Sequence, residues 1–536
     1  MAGDHQLQHR HQGDTRPPSV NAEATAIANG SAHGRQPWPR RVNEAVVKFA
    51  SFIGPGFMIA VAYIDPGNYS TGVAAGATYQ YRLLFIVLMA NIAAIFLQTL
   101  CIKLGTVTGL NLAQACRLFL PTWLNIVLYV FAEAAIIATD IAEVIGFAIA
   151  LNLLVPAIPL VAGCAISILD VMLILLFYNP HGSMKGLRLF ELFIMALVMG
   201  VVVCFCIQLS LIKDSSVAEV FRGYLPSSAI TESKGLYQAC GILGATVMPH
   251  SLYLGSGIVQ PRLRAYDVKH GLALPPPSSQ SPTDENDIDV KVHYTPSLDA
   301  IRHSYRTSTL ELGIALFTFA LFVNSAIVIV SGASLYPSDD DADLFSIHAL
   351  LSASVSPAAG TVFALSLLLS GVSAGIVCTI AGQMVCEGAL HWRVRRPWLR
   401  RLITRSISIT PSIIIAGAVG QTGLSAALNA SQVVLSIVLP FVSAPLIWFT
   451  CRGRYMTVRT SSSRVAEAAD SDGRLAPVSG AAVAAGQPQG GPEDAGVEGV
   501  TKLANSWYTI VFAVLVWLAI AVLNVANLVL LGLGKS

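Results

Sequence analysis

The sequence predicts an all-α membrane protein that crosses the bilayer about eleven times. Hydrophobic residues make up 54% of the 536 residues and charged residues 12%, whereas about a quarter of residues are charged in soluble proteins. The mean hydropathy is +0.63. A helix needs about 20 apolar residues to cross a bilayer, and eleven runs reach that length, near 49–75, 83–107, 123–153, 157–178, 188–212, 236–260, 307–332, 345–377, 403–423, 428–450 and 505–533.

Polar segments divide the chain into four parts. Residues 1–42 are rich in His, Gln, Gly and Pro and hold few large apolar residues, which predicts a disordered N-terminal tail. Residues 43–450 hold ten spans and form the core, which a polar loop interrupts at about 261–304. A second polar stretch, 451–504, is rich in Ser, Ala, Gly and Pro, and 505–536 forms an additional span. Both polar stretches are predicted to be disordered loops.

Basic residues set the predicted orientation. Lys and Arg concentrate in the loops that follow even-numbered spans, as in the cluster from Arg393 to Arg405, so these loops face the cytosol by the positive-inside rule. The N-terminus and both polar loops are then cytosolic, and the C-terminus lies on the opposite side. The net charge of +2 gives no reason to expect a nucleic-acid partner. The plasma membrane and an endosomal or vacuolar membrane both fit.

Span 1 contains a helix break in the sequence Asp65-Pro66-Gly67-Asn68. Pro66 has no N–H and moves the preceding residue out of the α region, and Gly67 permits a bend. A membrane helix tolerates such a break only where its freed backbone groups line a cavity or a ligand. Asp65 and Asn68 add side-chain oxygens beside the freed carbonyls, so the stretch predicts a cation site.

Span 6 contains a second break, at Met248-Pro249-His250. A single proline kink in a membrane helix is usually structural. Two breaks in corresponding spans instead indicate a transporter built from two inverted repeats, with its substrate near the middle of the membrane. The repeats are predicted to be spans 1–5 and 6–10, with Pro66, Gly67 and Pro249 at the breaks.

The residues at the two breaks match the ligands of a transition-metal ion. Asp65 and Asn68 supply side-chain oxygens. Ala245 supplies a backbone carbonyl, because Pro249 has no N–H to donate to it. Met248 adds a thioether sulfur. Oxygen ligands alone suit Ca²⁺ and Mg²⁺, whereas a sulfur ligand favours Mn²⁺, Fe²⁺ and later metals.

Span 3 carries three carboxylates in an otherwise apolar sequence, Glu133, Asp140 and Glu143. Their spacings of seven and three residues place them on one face of a helix. Acidic residues inside a membrane commonly mark proton routes. The alternative is that these carboxylates pair with Arg or Lys from another span and have a structural role only.

Three basic residues are candidates for the same proton route. His250 titrates near neutral pH and is placed to tune proton transfer or to gate the inner path. Its position directly after Pro249 favours such a role over that of a buried hydrogen-bonding residue. Arg400 and Arg401 could pair with the span 3 carboxylates, and membrane topology alone also explains these two arginines.

These motifs resemble the Nramp family of proton-coupled divalent-metal transporters, and the similarity covers roughly residues 45–450. The matching stretches are Asp65–Asn68, Met248–His250, Ser370–Gly375, Ala381–Gly388, Arg400–Arg405 and Ser431–Ser436. The resemblance implies a LeuT-like fold, Mn²⁺ or Fe²⁺ as substrate, H⁺ as the coupled ion and a proton exit path along span 3. It also implies that Gln432 in span 10 joins the metal ligands in the inward-closed state.

The sequence departs from the commoner family pattern beside the second break. Ser251 and Gly255 stand where Asn and His are more common after Met-Pro-His, a variant similar to fungal members. One histidine is therefore missing, which puts in doubt any proton step assigned to it. The retained Met248 argues against the relatives that carry Mg²⁺ or Al³⁺.

The sequence therefore predicts a monomeric symporter in the lipid bilayer that carries divalent transition metal into the cytosol with protons and needs no cofactor. A LeuT-like carrier of an organic solute such as an amino acid is the alternative, but Asp65 and Met248 at the breaks would repel a carboxylate. A cation channel would need repeated pore loops, which the sequence lacks. No nucleotide loop, nucleophile elbow, HExxH motif or CxxC pair indicates an enzyme or a zinc site.

Overall fold

The computed structural model describes residues 55–169, 184–212, 215–273, 294–337, 342–390, 397–459 and 500–533. The predicted N-terminal tail, residues 274–293 of the first predicted loop, most of the second predicted loop and the last part of span 4 from 170 onwards lie outside the described residues. Apart from one small sheet, every regular element in the described part of the chain is helical.

Eighteen α-helices follow one another along the described residues. They are α1 Pro55–Val61, α2 Pro66–Tyr79, α3 Leu84–Thr108, α4 Leu112–Phe119, α5 Thr122–Leu154, α6 Leu160–Ile166, α7 Met184–Leu211, α8 Val217–Arg222, α9 Ser233–Thr246, α10 Pro249–Gly257, α11 Gln260–Lys269, α12 Leu298–Ala315, α13 Leu321–Leu335, α14 Leu344–Leu350, α15 Pro357–Leu390, α16 Pro397–Ala418, α17 Gln421–Cys451 and α18 Trp507–Gly532. A π-helical turn at Leu316–Ala320 joins α12 to α13, another at Leu351–Val355 extends α14, and a 3₁₀ turn covers Ser228–Thr231.

Eight stretches of the described chain are long and apolar enough to cross a membrane. They are Leu84–Thr108, Thr122–Leu154, Leu189–Leu211, Ser233–Lys269, Leu298–Leu335, Pro357–Leu390, Gln421–Cys451 and Trp507–Gly532. Of the other predicted spans, span 1 is divided between α1 and α2, span 4 leaves the described residues after 169, and span 9 corresponds to α16. The prediction of an all-α, multi-pass membrane protein is confirmed.

Span 8 begins later than the hydropathy pattern predicts. The apolar run near 345–377 is divided at Ser356, whose backbone is extended, and the long helix α15 starts only at Pro357. The Ser356 hydroxyl accepts a hydrogen bond from the Ala359 N–H at 3.2 Å, as a helix N-cap does. Proline at the first position of a helix needs no acceptor, so this site starts a new helix inside an apolar run.

The described ends of the first predicted loop have regular structure. Helix α11 continues to Lys269, and α12 already starts at Leu298. The buried carboxylate of Asp267 accepts hydrogen bonds from the Tyr294 hydroxyl at 2.6 Å and from the Ser297 N–H at 2.9 Å. These bonds join the two ends of the loop, so the stretch without described structure is shorter than 261–304.

The described ends of the second predicted loop form a small antiparallel sheet that leads into the last span. Strand β1 covers Thr457–Arg459, β2 covers Val500–Lys502, and Val458 lies opposite Thr501. Helix α18 then packs on α17, where the Trp517 indole N–H donates to the Pro440 carbonyl at 2.8 Å. The additional span is thus attached to span 10 by a specific hydrogen bond as well as by apolar contact.

Two glycines bring neighbouring helices close to the predicted breaks. A Cβ atom at Gly146 of α5 would lie 2.2 Å from Cβ of Pro66, so the α5 backbone lies directly against the first break. A Cβ atom at Gly244 of α9 would lie 1.9 Å from the Gln432 carbonyl oxygen of α17. Only glycine permits backbones to approach this closely, and the two contacts place spans 3 and 10 beside the broken helices.

Candidate metal-binding site

The first break exposes backbone carbonyls between α1 and α2. The helix ends at Val61, and the next helix does not begin until Pro66. The Tyr63 carbonyl accepts hydrogen bonds from Nδ2 of Asn68 at 3.2 Å and from Nδ2 of Asn324 at 3.1 Å. The Ile64 carbonyl accepts from the Ser370 hydroxyl at 2.9 Å. Side chains from spans 7 and 8 therefore supply the donors that the interrupted helix lacks.

Asp65 is the N-cap of α2 and is completely buried. Its carboxylate accepts hydrogen bonds from the backbone N–H of Gly67 at 3.1 Å and of Asn68 at 3.0 Å. The N-terminus of a helix carries a partial positive charge, which favours a carboxylate at this position. The break thus fixes the Asp65 carboxylate in place at the start of α2.

The second break lies between α9 and α10. Helix α9 ends at Thr246, Val247 and Met248 are not helical, and α10 begins at Pro249. The Ala245 carbonyl accepts a hydrogen bond from Nδ2 of Asn68 at 3.0 Å, in the place of the N–H that Pro249 lacks. Met248 is buried at the N-cap of α10.

Asn68 is the point at which the two breaks meet. Its Nδ2 atom lies 2.6 Å from Oδ1 of Asp65, 3.2 Å from the Tyr63 carbonyl and 3.0 Å from the Ala245 carbonyl. The Thr246 hydroxyl donates to its Oδ1 atom at 3.2 Å. Two oxygens from the first break and one from the second broken helix therefore surround one partly positive NH₂ group. A half-turn of the amide would exchange its nitrogen for its oxygen, and four oxygens would then face the same point.

Gln432 of α17 brings a further oxygen to the first break. A Cβ atom at Gly67 would lie 2.3 Å from Cδ of Gln432, so the glutamine amide packs directly on the Gly67 backbone. The Gln432 amide nitrogen donates to the Ser431 hydroxyl at 2.9 Å. Its Oε1 atom is buried and has no hydrogen-bond partner among the described residues. A buried acceptor without a donor costs about 1–3 kcal/mol, and a bound cation would relieve that cost.

A separate polar cluster lies between α5, α15 and α16. The guanidinium of Arg405 forms an ion pair with Asp140 and lies 3.7 Å from Oε2 of Glu143. Asp140, Glu143 and Cys378 have potential ligand atoms within 4.8 Å of one another, and all three residues are buried. The two carboxylates and one guanidinium are together neutral only when one carboxylate holds a proton.

His250 lies between the second break and α5. The residue is buried in α10, and its Nδ1 atom lies 3.3 Å from the Thr139 hydroxyl. Thr139 directly precedes Asp140 in α5. Glu133 lies on the same helix, two turns before Asp140, and is half-buried. The residue after the second break therefore contacts the helix that carries the span 3 carboxylates.

Arg405 is the arginine that pairs with the span 3 carboxylates, and the sequence analysis did not include it among the candidates for the proton route. Arg400 and Arg401 lie at the start of α16, but their side chains are outside what the structure describes. Arg405 lies one turn further along and is almost completely buried. The signal for it was present, because Arg405 falls inside the predicted span 403–423, and a charged residue inside a span normally has a partner.

A bundle of membrane-spanning helices in which two interrupted helices meet at a buried polar site is the architecture of secondary transporters with discontinuous helices. The chain belongs to the Nramp family. The family model described as natural resistance-associated macrophage protein-like matches residues 56–467.

Relatives in sequence and structure agree with this assignment. The chain is 51% identical over 506 residues to the manganese transporter SMF1 of Saccharomyces cerevisiae, covering 92% of this chain and 88% of the relative. It is 50% identical over 436 residues to the iron transporter SMF3 of the same yeast, covering 80% and 88%. The structure is similar to that of the Eremococcus coleocola manganese transporter, with a TM-score of 0.67 and 29% identity over 89% of this chain and 86% of that one. The predicted LeuT-like fold is confirmed.

Proposed function

We propose that this protein carries divalent transition-metal ions, Mn²⁺ or Fe²⁺, into the cytosol together with protons. The observation that carries the proposal is the convergence of Asp65, Tyr63 and Ala245 oxygens on the Asn68 amide. The printed names of the relatives, manganese and iron transporters, support the choice of metal. The N-terminus is proposed to be cytosolic, in the plasma membrane or an endosomal or vacuolar membrane.

The proposed metal ligands come from both breaks and from span 10. The Asp65 carboxylate supplies charge, and the Asn68 amide oxygen and Ala245 carbonyl complete the hard ligands. Gln432 joins through its Oε1 atom, which lacks a hydrogen-bond partner among the described residues. Met248 supplies the sulfur. Because Ca²⁺ and Mg²⁺ bind sulfur poorly, Met248 selects against these abundant ions.

Proton transfer follows from the charge that the metal brings. A divalent cation beside Asp65 favours the ionised carboxylate, so any proton on Asp65 leaves when the metal binds. His250 and Thr139 lie between the second break and Asp140. The proton would then pass to the cluster of Asp140 and Glu143, whose neutral form with Arg405 contains one proton, and leave along α5 to the cytosol.

Release of the metal requires movement of α1 on the proposed cytosolic side. The Gly56 N–H of α1 donates to Oε1 of Glu311 at 3.0 Å, and Oε2 of Glu311 lies 3.5 Å from Arg262. Arg262 also lies 3.5 Å from Glu191. These contacts join spans 1, 5, 6 and 7, so α1 leaves its position only when the hydrogen bond to Glu311 breaks. Such rocking of helices opens the substrate site first to one side of the membrane and then to the other.

A carrier of amino acids remains the alternative, and the site argues against it. A substrate carboxylate would approach the Asp65 carboxylate in a buried setting, where repulsion between like charges is strong. The Asp65 oxygens already accept the N–H groups of Gly67 and Asn68 that could otherwise bind the substrate.

Metal uptake by proteoliposomes that contain a pH-sensitive dye tests the proposal. We expect Mn²⁺ uptake to increase with external acidity and to acidify the lumen, with no effect of added amino acids. Uptake of Mn²⁺ that is independent of pH would refute the coupling, and absence of uptake of both Mn²⁺ and Fe²⁺ would refute the proposed substrate.

A further inference from the structure

We infer that Gln98 of α3 is a positioning residue that fixes the two breaks relative to each other, and that it occupies the space a side chain at position 255 would take. The inference rests on the proposed function. Gln98, Tyr63 and Ser251 are all completely buried, and Gly255 lies in α10 beside them. Three spans meet at this residue, because α3, the first break and α10 each contribute one partner.

The amide nitrogen of Gln98 contacts both broken helices. It donates to the Tyr63 hydroxyl at 2.9 Å and to the Ser251 carbonyl at 2.9 Å, with the Ser251 hydroxyl at 3.0 Å. Tyr63 belongs to the first break, where its carbonyl accepts from Asn68. Ser251 follows the second break. Gln98 therefore holds the ligand-bearing turn of span 1 against that of span 6.

The hydrogen bonds continue from Ser251 to a proposed metal ligand. The Ser251 hydroxyl donates to the Met248 carbonyl at 2.7 Å, so its oxygen is free to accept, and the Tyr63 hydroxyl lies 3.1 Å away. A hydroxyl can donate once and accept twice, which this arrangement satisfies. The Met248 backbone at the second break is thus hydrogen-bonded to Ser251 and, through it, connected to Gln98.

Gly255 provides the space that the Gln98 amide needs. A Cβ atom at position 255 would lie 2.0 Å from Oε1 of Gln98. Any side chain there would push the amide away, and both hydrogen bonds to the breaks would be lost. The Oε1 atom itself is buried and has no hydrogen-bond partner among the described residues. Residues 98, 251 and 255 therefore form one unit, in which the glycine is required by the glutamine.

The unit holds no group that titrates near neutral pH, because Gln98 carries an amide and Ser251 a hydroxyl. Replacing Gln98 by an apolar residue therefore changes the hydrogen bonds between the breaks without removing a titrating group. We expect Gln98 to affect metal affinity and selectivity and to leave the pH dependence unchanged.

A double-mutant cycle tests the inference. Gln98→Leu keeps the volume and removes the donor, and Gly255→Ala displaces the amide. Each should raise the KM for Mn²⁺ uptake about tenfold, the effect of losing about two hydrogen bonds, and should increase competition by Ca²⁺. Because both changes act on the same bonds, the double variant should also show about a tenfold rise instead of about a hundredfold.

The matched control is Gly257→Ala, on the same helix. A Cβ atom there would lie 2.7 Å from the flexible sulfur of Met384 and touches no donor of the unit, so we expect a KM near that of the unmodified protein. Independent, additive effects of Gln98→Leu and Gly255→Ala, or an altered pH profile without a change in KM, would overturn the inference. Absence of metal uptake by the unmodified protein would instead refute the proposed function.

Discussion

The proposed metal site and the span 3 cluster each hold buried carboxylates, but they stabilise them differently. Asp65 accepts hydrogen bonds only from neutral N–H groups, and within the described part of the chain no Lys, Arg or His forms an ion pair with it. Asp140 and Glu143 instead face the permanent charge of Arg405. A carboxylate without a resident cation is suited to an exchangeable one, whereas two carboxylates that share one arginine are neutral as a group only when one of them holds a proton, which is the basis of the proposed proton route.

The largest effect is expected where the exchangeable cation binds. Asp65→Ala removes the charge of the metal site and should reduce Mn²⁺ uptake at least about 100-fold, corresponding to ~3 kcal/mol. Radiolabelled Mn²⁺ uptake by proteoliposomes measures this effect.

Asp343→Ala is the matched control for Asp65→Ala. Asp343 is also the N-cap of a helix and accepts from the N–H groups of Phe345 at 3.1 Å and Ser346 at 2.8 Å. Loss of this cap should cost about 1 kcal/mol of stability and leave uptake unchanged. Near-normal Mn²⁺ uptake by the Asp65→Ala variant would contradict the distinction drawn between the carboxylate of the proposed metal site and those of the span 3 cluster.

An intermediate effect is expected at the span 3 cluster. Asp140→Asn leaves Glu143 ionised beside Arg405, so this group of side chains stays neutral without a proton. Metal uptake should continue, and acidification of the lumen per metal ion should fall about 100-fold, the lower end of what a proton-transfer group typically contributes. Parallel measurement of radiolabelled Mn²⁺ and a luminal pH dye checks this ratio.

The control for Asp140→Asn is Asp267→Asn. Asp267 is a buried carboxylate held by Tyr294 and Ser297, outside the proposed proton route. Its replacement should lower thermal stability and leave the ratio of protons to metal unchanged. Normal metal-evoked acidification in Asp140→Asn would assign the span 3 cluster a structural role.

The smallest effect is expected from the sulfur ligand. Met248→Ala should keep Mn²⁺ uptake within a few-fold, because the oxygen ligands remain, and should strengthen competition by Ca²⁺ about tenfold. Met384→Ala is the control, since the Met384 sulfur packs near Gly257 and not at a break. Unchanged competition by Ca²⁺ would show that selectivity comes from another feature of the site.

The positions of the breaks could be predicted because they follow from single residues. Pro66 and Pro249 each lack an N–H, and each starts the helix that follows its break. The freed Ala245 carbonyl was predicted for the same reason. The later start of span 8 was missed, since Ser356 and Pro357 lie inside an apolar run and hydropathy does not detect a break between two apolar helices.

Contacts between spans could not be predicted from the sequence. The pairing of Arg405 with Asp140, and of Gln98 with Tyr63 and Ser251, depends on the rotation and depth of each helix in the bundle. Hydropathy gives the length of a helix but neither of these quantities. The assignment of ligands and proton carriers to individual residues therefore stays a prediction that the variants above test.

The Asn68 amide has a consequence for the return half of a carrier cycle. A carrier must change sides without cargo, and oxygens that repel one another would make the unloaded protein unstable. In this protein the amide nitrogen of Asn68 takes the place of a positive ion among three oxygens. The Asn68 amide therefore offsets the mutual repulsion of these three oxygens, and on the proposed function net transport of labelled Mn²⁺ should be about as fast as its exchange across the membrane.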